Sequence, residues 1–160
     1  MTLAHDVLEA CKAAGLKLAT AESCTGGMVA AALTDIPGSS DVVERGFVTY
    51  TNLAKQQMLG VRAASLDAHG AVSEEVAREM ADGALAHAPV QLAVSITGIA
   101  GPGGSEFKPE GRVCFGLASA RAGTITETVE FGPLGRDRVR AAARDHALKM
   151  LSGGLSHFGA

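Results

Sequence analysis

Tryptophan is absent from this 160-residue chain, tyrosine occurs once, and aromatic residues make up only 4% of it. A core with few large rings has to close mostly around small side chains, and the 20 glycines and plentiful alanines favour helices packed closely on a sheet. Charge is scarce as well. Charged residues account for 19% and the formal net charge is −3, so the basic excess of a general nucleic-acid binder is missing. No apolar run approaches the roughly 20 residues of a membrane span, and the N-terminus lacks the shape of a secretory signal. A cytoplasmic chain without a membrane partner is therefore expected. The cysteines, Cys11, Cys24 and Cys114, are odd in number and form no CxxC, which fits reduced thiols. The five histidines make no ligand-spaced pair, so no zinc site is expected. What remains is a 47% hydrophobic sequence of a length that suits one domain with a substantial core.

Hydrophobic periodicity predicts a helix over 3–14, a short buried strand over 16–20 and a helix over about 26–34. A turn at 35–40 leads to a strand over 42–50. Asn52 is read as the cap of a short helix that holds Lys55 and stops at Gly60, followed by a helical piece at 64–69. Ser73 caps a longer helix with Glu74 and Glu75 in its first turn. Strands follow over 91–97, 113–118 and 124–131, the last with one polar face, and a helix over about 135–151 closes the chain. Helices alternate with strands, which predicts an α/β class with a mixed sheet.

Two glycine-rich segments each follow a strand, where ligands bind in open α/β sheets. The first is Thr20-Ala21-Glu22-Ser23-Cys24-Thr25-Gly26-Gly27, and the second is Gly98-Ile99-Ala100-Gly101-Pro102-Gly103-Gly104. Neither is a P-loop or a GxGxxG. A strand, turn and helix start of the first kind aims backbone N–H groups at an anion. Ser23 and Thr25 stand at its mouth, where a hydroxyl beside an anion hole suits acyl transfer if a base is near. Their plainer role is to cap the helix. Tyr50 ends a strand and Lys55 lies in the first turns of the next helix, so both can face Ser23. A lysine serves as base if burial and cationic neighbours lower its pKa from about 10.4 toward about 7–8; taken alone it is a solvated helix residue. Arg136 opens the last helix and is suited to a bidentate phosphate contact, whereas Arg138, Arg140 and Arg144 read as a solvated face pairing with Asp137 and Asp145. Cys24 is an alternative nucleophile, read here as a small core residue.

Four ordered motifs, the first segment above, Gly46-Phe47-Val48-Thr49-Tyr50-Thr51-Asn52-Leu53-Ala54-Lys55, Gly70-Ala71-Val72-Ser73 and Ser95-Ile96-Thr97-Gly98-Ile99-Ala100-Gly101-Pro102, resemble the CinA C-terminal domain family over nearly the whole chain. The resemblance implies a single domain over 1–160, a three-layer α/β/α sandwich with a mixed, mostly parallel central sheet. It implies an amidohydrolase that converts nicotinamide mononucleotide to nicotinate mononucleotide and ammonia without a metal or organic cofactor. Ser23 is then the nucleophile and Tyr50 and Lys55 its activating partners. Thr25, Gly26, Gly27, Thr97, Gly98, Gly101 and Arg136 are the candidates for holding substrate, with backbone N–H groups near Thr25 and Gly26 for the oxyanion. A homodimer is also implied. The family's N-terminal partner domain is expected to be absent, because the likeness begins almost at Met1. The competing reading is a catalytically idle nucleotide-binding or protein-interaction module on the same scaffold. One loop departs from the family's usual GGGSEEKPVGTV run: this chain is one residue shorter over 103–113, and Phe107, Glu110 and Arg112 are foreign to the pattern.

Overall fold

Ala4, Val7, Leu8 and Cys11 lie on one buried stripe of α1 (Leu3–Ala14), which Thr2 caps and Gly15 ends in the left-handed conformation. This helix belongs to one of two layers that cover a central sheet. In the computed structural model, which describes residues 2–105 and 107–157, the remaining elements are β1 (Leu18–Glu22), α2 (Met28–Thr34), a 3-10 turn (Ser39–Asp41), β2 (Val43–Val48), α3 (Asn52–Leu59), α4 (Ala63–His69), α5 (Glu74–Ala86), β3 (Leu92–Gly98), β4 (Arg112–Ser119), β5 (Gly123–Glu130) and α6 (Arg136–His157). Glu106, in the altered loop, lies outside the described residues. The sheet order is β2-β1-β3-β4-β5. β1 pairs in parallel with β2 and β3, while β4 pairs antiparallel with β3 and β5. Four of the five strands therefore point the same way, as a mixed, mostly parallel sheet requires.

The two faces of the sheet differ in bulk. Leu18, Leu92, Val94, Ile96, Val113, Phe115 and Leu117 point toward α1, α2 and α6 and join their apolar stripes. The opposite face presents Ala21, Ala93 and Ala118 to α3, α4 and α5. Small residues there let α5 come close enough for the Ser95 hydroxyl to donate to the Ala77 carbonyl at 2.6 Å. A Cβ at Gly116 would lie 2.6 Å from that same carbonyl oxygen.

Several boundaries differ from the sequence reading for identifiable reasons. β1 runs to Glu22 rather than stopping at residue 20, because the buried Glu22 carboxylate accepts from the Val29 and Ala30 N–H groups at 2.9 and 3.1 Å. This cap for α2 comes from neither Ser23 nor Thr25, and Gly27 at the N-cap supplies no side chain. Thr51, not Asn52, caps α3, accepting from the Ala54 N–H at 3.0 Å. α6 continues past residue 151 through Gly153 and Gly154, since Leu155 extends the stripe of Val139, Ala143, Ala147, Leu148 and Leu151 into the core; burial there outweighs the glycine cost. The polar face of β5 is partly covered, because Thr126 and Thr128 donate to Glu74 of α5 and hold its carboxyl below the usual range.

The approach of α5 to α3 sets a stability test. A Cβ at Gly83 would lie 1.9 Å from the Leu59 carbonyl oxygen, whereas one at Gly153 would meet nothing within 4 Å. Gly83→Ala should destabilise by about 1–3 kcal/mol despite its better helix propensity, and Gly153→Ala should stabilise by about 0.5–1 kcal/mol. Urea titration of both variants checks the opposite signs.

Candidate active site

The period of a strand places Glu22 and Ser23 on opposite sides of the sheet. Glu22 turns toward α2, and Ser23, bonded through its N–H to the Ile96 carbonyl, turns toward α3. There the Lys55 amine, only 1% exposed, donates to Ser23 Oγ at 3.0 Å and to the Thr49 and Tyr50 carbonyls, each at 3.1 Å. Ser23 Oγ lies 3.4 Å from the Tyr50 carbonyl and is its donor. Both carbonyls become available because β2 ends at Val48 and the chain swings into α3.

A cleft of about 360 Å³ opens over this pair at the carboxyl ends of β1 and β3. Ser23, Cys24, Tyr50, Asn52 and Lys55 line one side, Ala71 and Val72 another, and the end of β3 at Thr97 and Gly98 with the following loop to Ser105 forms the roof, with Arg136 at the rim. Of the residues singled out in the sequence, Ser23, Tyr50, Lys55, Thr97, Gly98, Gly101 and Arg136 are brought together here. Thr25, Gly26 and Gly27 are not part of the lining. The Gly26 N–H turns back onto the Ser23 carbonyl at 3.0 Å, and Gly26 and Gly27 take φ values of 55° and 109°, which the turn needs. An oxyanion contact from Gly26 is thus corrected, its donor being already engaged.

The single tyrosine has two separate attachments. Its carbonyl meets Lys55, while its hydroxyl accepts from Arg136 Nη2 at 2.6 Å, not from the Ser23–Lys55 pair. Arg136 Nη1 also donates to the Gly101 carbonyl at 2.7 Å, so the guanidinium joins the roof to the opposite rim. Thr97 donates its hydroxyl to the Ala71 carbonyl at 2.9 Å and ties two walls together. Lys108 ties the same walls, donating to the His69 and Val72 carbonyls at 2.6 Å each.

Two residues escaped the sequence reading. Asn52 lines the cleft because Thr51 has taken the capping task, and its spacing of three from Lys55 on a helix was the available signal. Arg140, read as solvated, donates to the Cys24 carbonyl at 3.0 Å and the Thr25 carbonyl at 3.4 Å and braces the turn from behind. No sequence signal separates it from Arg144, which does pair with Asp145. Among the described residues no group of His, Cys, Asp and Glu is arranged to hold a metal ion.

A polar cleft at the strand ends of an open sheet, floored by a hydroxyl and a buried amine, defines an α/β/α sandwich with a serine–lysine site. The chain belongs to the CinA C-terminal domain family, whose model matches residues 1–155. A relative from Escherichia coli (strain K12), named nicotinamide-nucleotide amidohydrolase PncC, is 56% identical over 152 residues, covering 94% of this chain and 92% of that protein. The crystal structure of the competence/damage inducible protein CihA from Agrobacterium tumefaciens matches with a TM-score of 0.92 at 46% identity, covering 96% of this chain and 93% of that one. The competence damage-inducible protein A from Klebsiella pneumoniae matches with a TM-score of 0.94 at 40% identity, covering 98% and 96%.

Cys24 shares the cleft with Ser23, but burial pushes its thiol up to about 12. A group raised this far stays protonated until the pH nears that value, so thiolate is negligible near neutrality. Native protein at pH 8 should therefore resist alkylation at Cys24 and become labelled only on unfolding, as read by peptide mass; rapid native labelling would contradict the burial described.

Proposed function

We propose that the chain is a nicotinamide-nucleotide amidohydrolase acting through an acyl-serine intermediate. The observation that carries this reading is the buried Lys55 amine 3.0 Å from Ser23 Oγ at the floor of a nucleotide-sized cleft. The names of close relatives supply the substrate class. Burial removes the water that stabilises an ammonium and so favours the neutral amine. A neutral amine has two N–H bonds and one lone pair. The Thr49 and Tyr50 carbonyls hold the amine 3.0 Å from Ser23 Oγ, and in its neutral form its lone pair takes the hydroxyl proton.

Ser23 Oγ attacks the carboxamide carbon as its proton passes to Lys55, and the carbonyl π electrons move to oxygen. The Cys24 N–H, the backbone donor that follows the nucleophile in the chain, receives that oxyanion. Collapse breaks the C–N bond while Lys55 protonates the departing nitrogen, which leaves as ammonia. Water then gives a proton to Lys55 and attacks the acyl carbon, and Ser23 recovers its hydrogen from Lys55 as nicotinate mononucleotide forms. Tyr50 aligns the amine through its carbonyl and Arg136 through its hydroxyl. Arg136 and the glycine-rich roof receive the phosphate, with Thr97, Gly98 and Gly101 shaping that wall.

Ser23→Ala should abolish ammonia release from nicotinamide mononucleotide while substrate binding survives, because the covalent route is lost without the phosphate contacts. Lys55→Arg should be equally inactive, since arginine does not give up its proton. Turnover of the native chain should fall on the acid side as the amine becomes charged. Acid quench with substrate should leave an acyl adduct on the peptide containing Ser23. Activity in Ser23→Ala, or an adduct on Cys24, overturns the mechanism, and a native chain that releases no ammonia points to the idle-module reading.

A single cytoplasmic domain working as a homodimer completes the reading. The cysteines are free and buried, and no described helix is long and apolar enough to cross a membrane. Light scattering at micromolar concentration should return twice the chain mass; a monomer mass contradicts the dimer.

A further inference from the structure

The β3–β4 loop roofs the cleft with four glycines among residues 98–104, and glycine segments lose the most conformational freedom when ordered. Something has to hold it. One carboxylate reaches both the loop and the start of α6. Glu110 Oε1 accepts from the Gly103 N–H at 2.6 Å, and Oε2 accepts from the Gly135 N–H at 3.3 Å. Gly101 lies against the same side chain so closely that a Cβ there would be 2.5 Å from Glu110 Cδ. Arg136 follows Gly135 and donates to the Gly101 carbonyl at 2.7 Å, which closes a ring of contacts: Glu110, Gly103, Gly101, Arg136, Gly135 and back.

We propose that Glu110 is a positioning residue that fixes the glycine-rich roof against the start of α6 and thereby sets the spacing between the loop N–H groups and the Arg136 guanidinium that receive the phosphate end of the substrate. Carboxylate acceptors make the stronger hydrogen bonds, and two of them here join segments 32 residues apart in sequence, residues 103 and 135. The two Glu110 bonds end on the roof and on the start of α6, so its loss acts on substrate retention and spares the chemical step.

The kinetic arm of the test rests on the amidohydrolase reading and the exchange arm does not. In the full chain, Glu110→Val should raise KM for nicotinamide mononucleotide about tenfold with kcat changed less than about twofold, the pattern of lost uniform binding. Glu110→Gln keeps a carbonyl oxygen for the Gly103 N–H and should recover most of that loss. Peptide hydrogen exchange without substrate should be faster over 99–104 in Glu110→Val. Unchanged KM, a fall in kcat without a change in KM, or unaltered exchange over 99–104 each overturn the proposal. If the native chain releases no ammonia, the amidohydrolase reading fails and the exchange result alone decides on Glu110. If the valine variant does not fold, the glutamine variant decides, with KM raised about threefold if the proposal holds and unchanged if it does not.

Discussion

An amine is held at the bottom of a cleft by two backbone carbonyls and a serine hydroxyl, and the arrangement depends on keeping water away from it. Lys55 reaches that place because α3 is pinned at both ends. Thr51 caps its start, and the Val61 N–H returns to the Lys55 carbonyl at 3.2 Å beyond its end. Leu59 and Val61 then sink into the cluster with Met80, Ala81 and Ala84 of α5. A solvated lysine would lose little if the helix shifted by a turn. A buried one, tied to the carbonyls of residues 49 and 50, fixes the helix to the end of β2 and through it to Ser23.

That constraint explains the unequal faces of the sheet. The layer of α1, α2 and α6 packs with leucines, valines and Phe115, which supply bulk hydrophobic burial. The layer of α3, α4 and α5 sits on alanine, glycine, serine and threonine, where the backbones come nearly into contact. Close packing of this kind tolerates little movement. The Ser23–Lys55 pair lies on the side with the least slack, while the more forgiving bulk lies behind it. The scarcity of aromatics in the composition is the same fact seen from the sequence.

The elements with strong periodicity were legible: α1 and α5 begin where the sequence places them, and the antiparallel β4–β5 pair follows from the alternation in 124–131. Ser23, Tyr50, Lys55 and Arg136 were found through motifs rather than through geometry, and the cleft brings all four together. What was not legible depends on tertiary partners. Nothing local says that Glu22 continues a strand, because its carboxylate is satisfied seven and eight residues away by N–H groups of the next helix. Nothing local distinguishes Arg140 from its neighbours, because the carbonyls it serves lie more than 100 residues earlier. The Gly26 N–H was misjudged for a related reason. A glycine pair after a strand signals a turn, but only the fold decides whether the N–H groups face outward or close the turn on itself.

The cleft has two chemically distinct ends, and this bears on direction of binding. Among the residues that line the cleft, Val72, Ile99 and Ala100 are buried and apolar. At the rim stands Arg136, exposed and already bridging Tyr50 and Gly101. A phosphate arriving there offers the guanidinium charged acceptors in place of a phenol and a neutral carbonyl, and charge-assisted bonds are the stronger ones. A flat neutral ring bearing an amide meets the opposite environment at the floor, where it displaces water from apolar walls. A molecule with an amide at one end and a phosphate at the other is therefore favoured in one orientation. In that orientation the amide end lies at the buried Ser23–Lys55 pair, and the charge stays at the exposed rim.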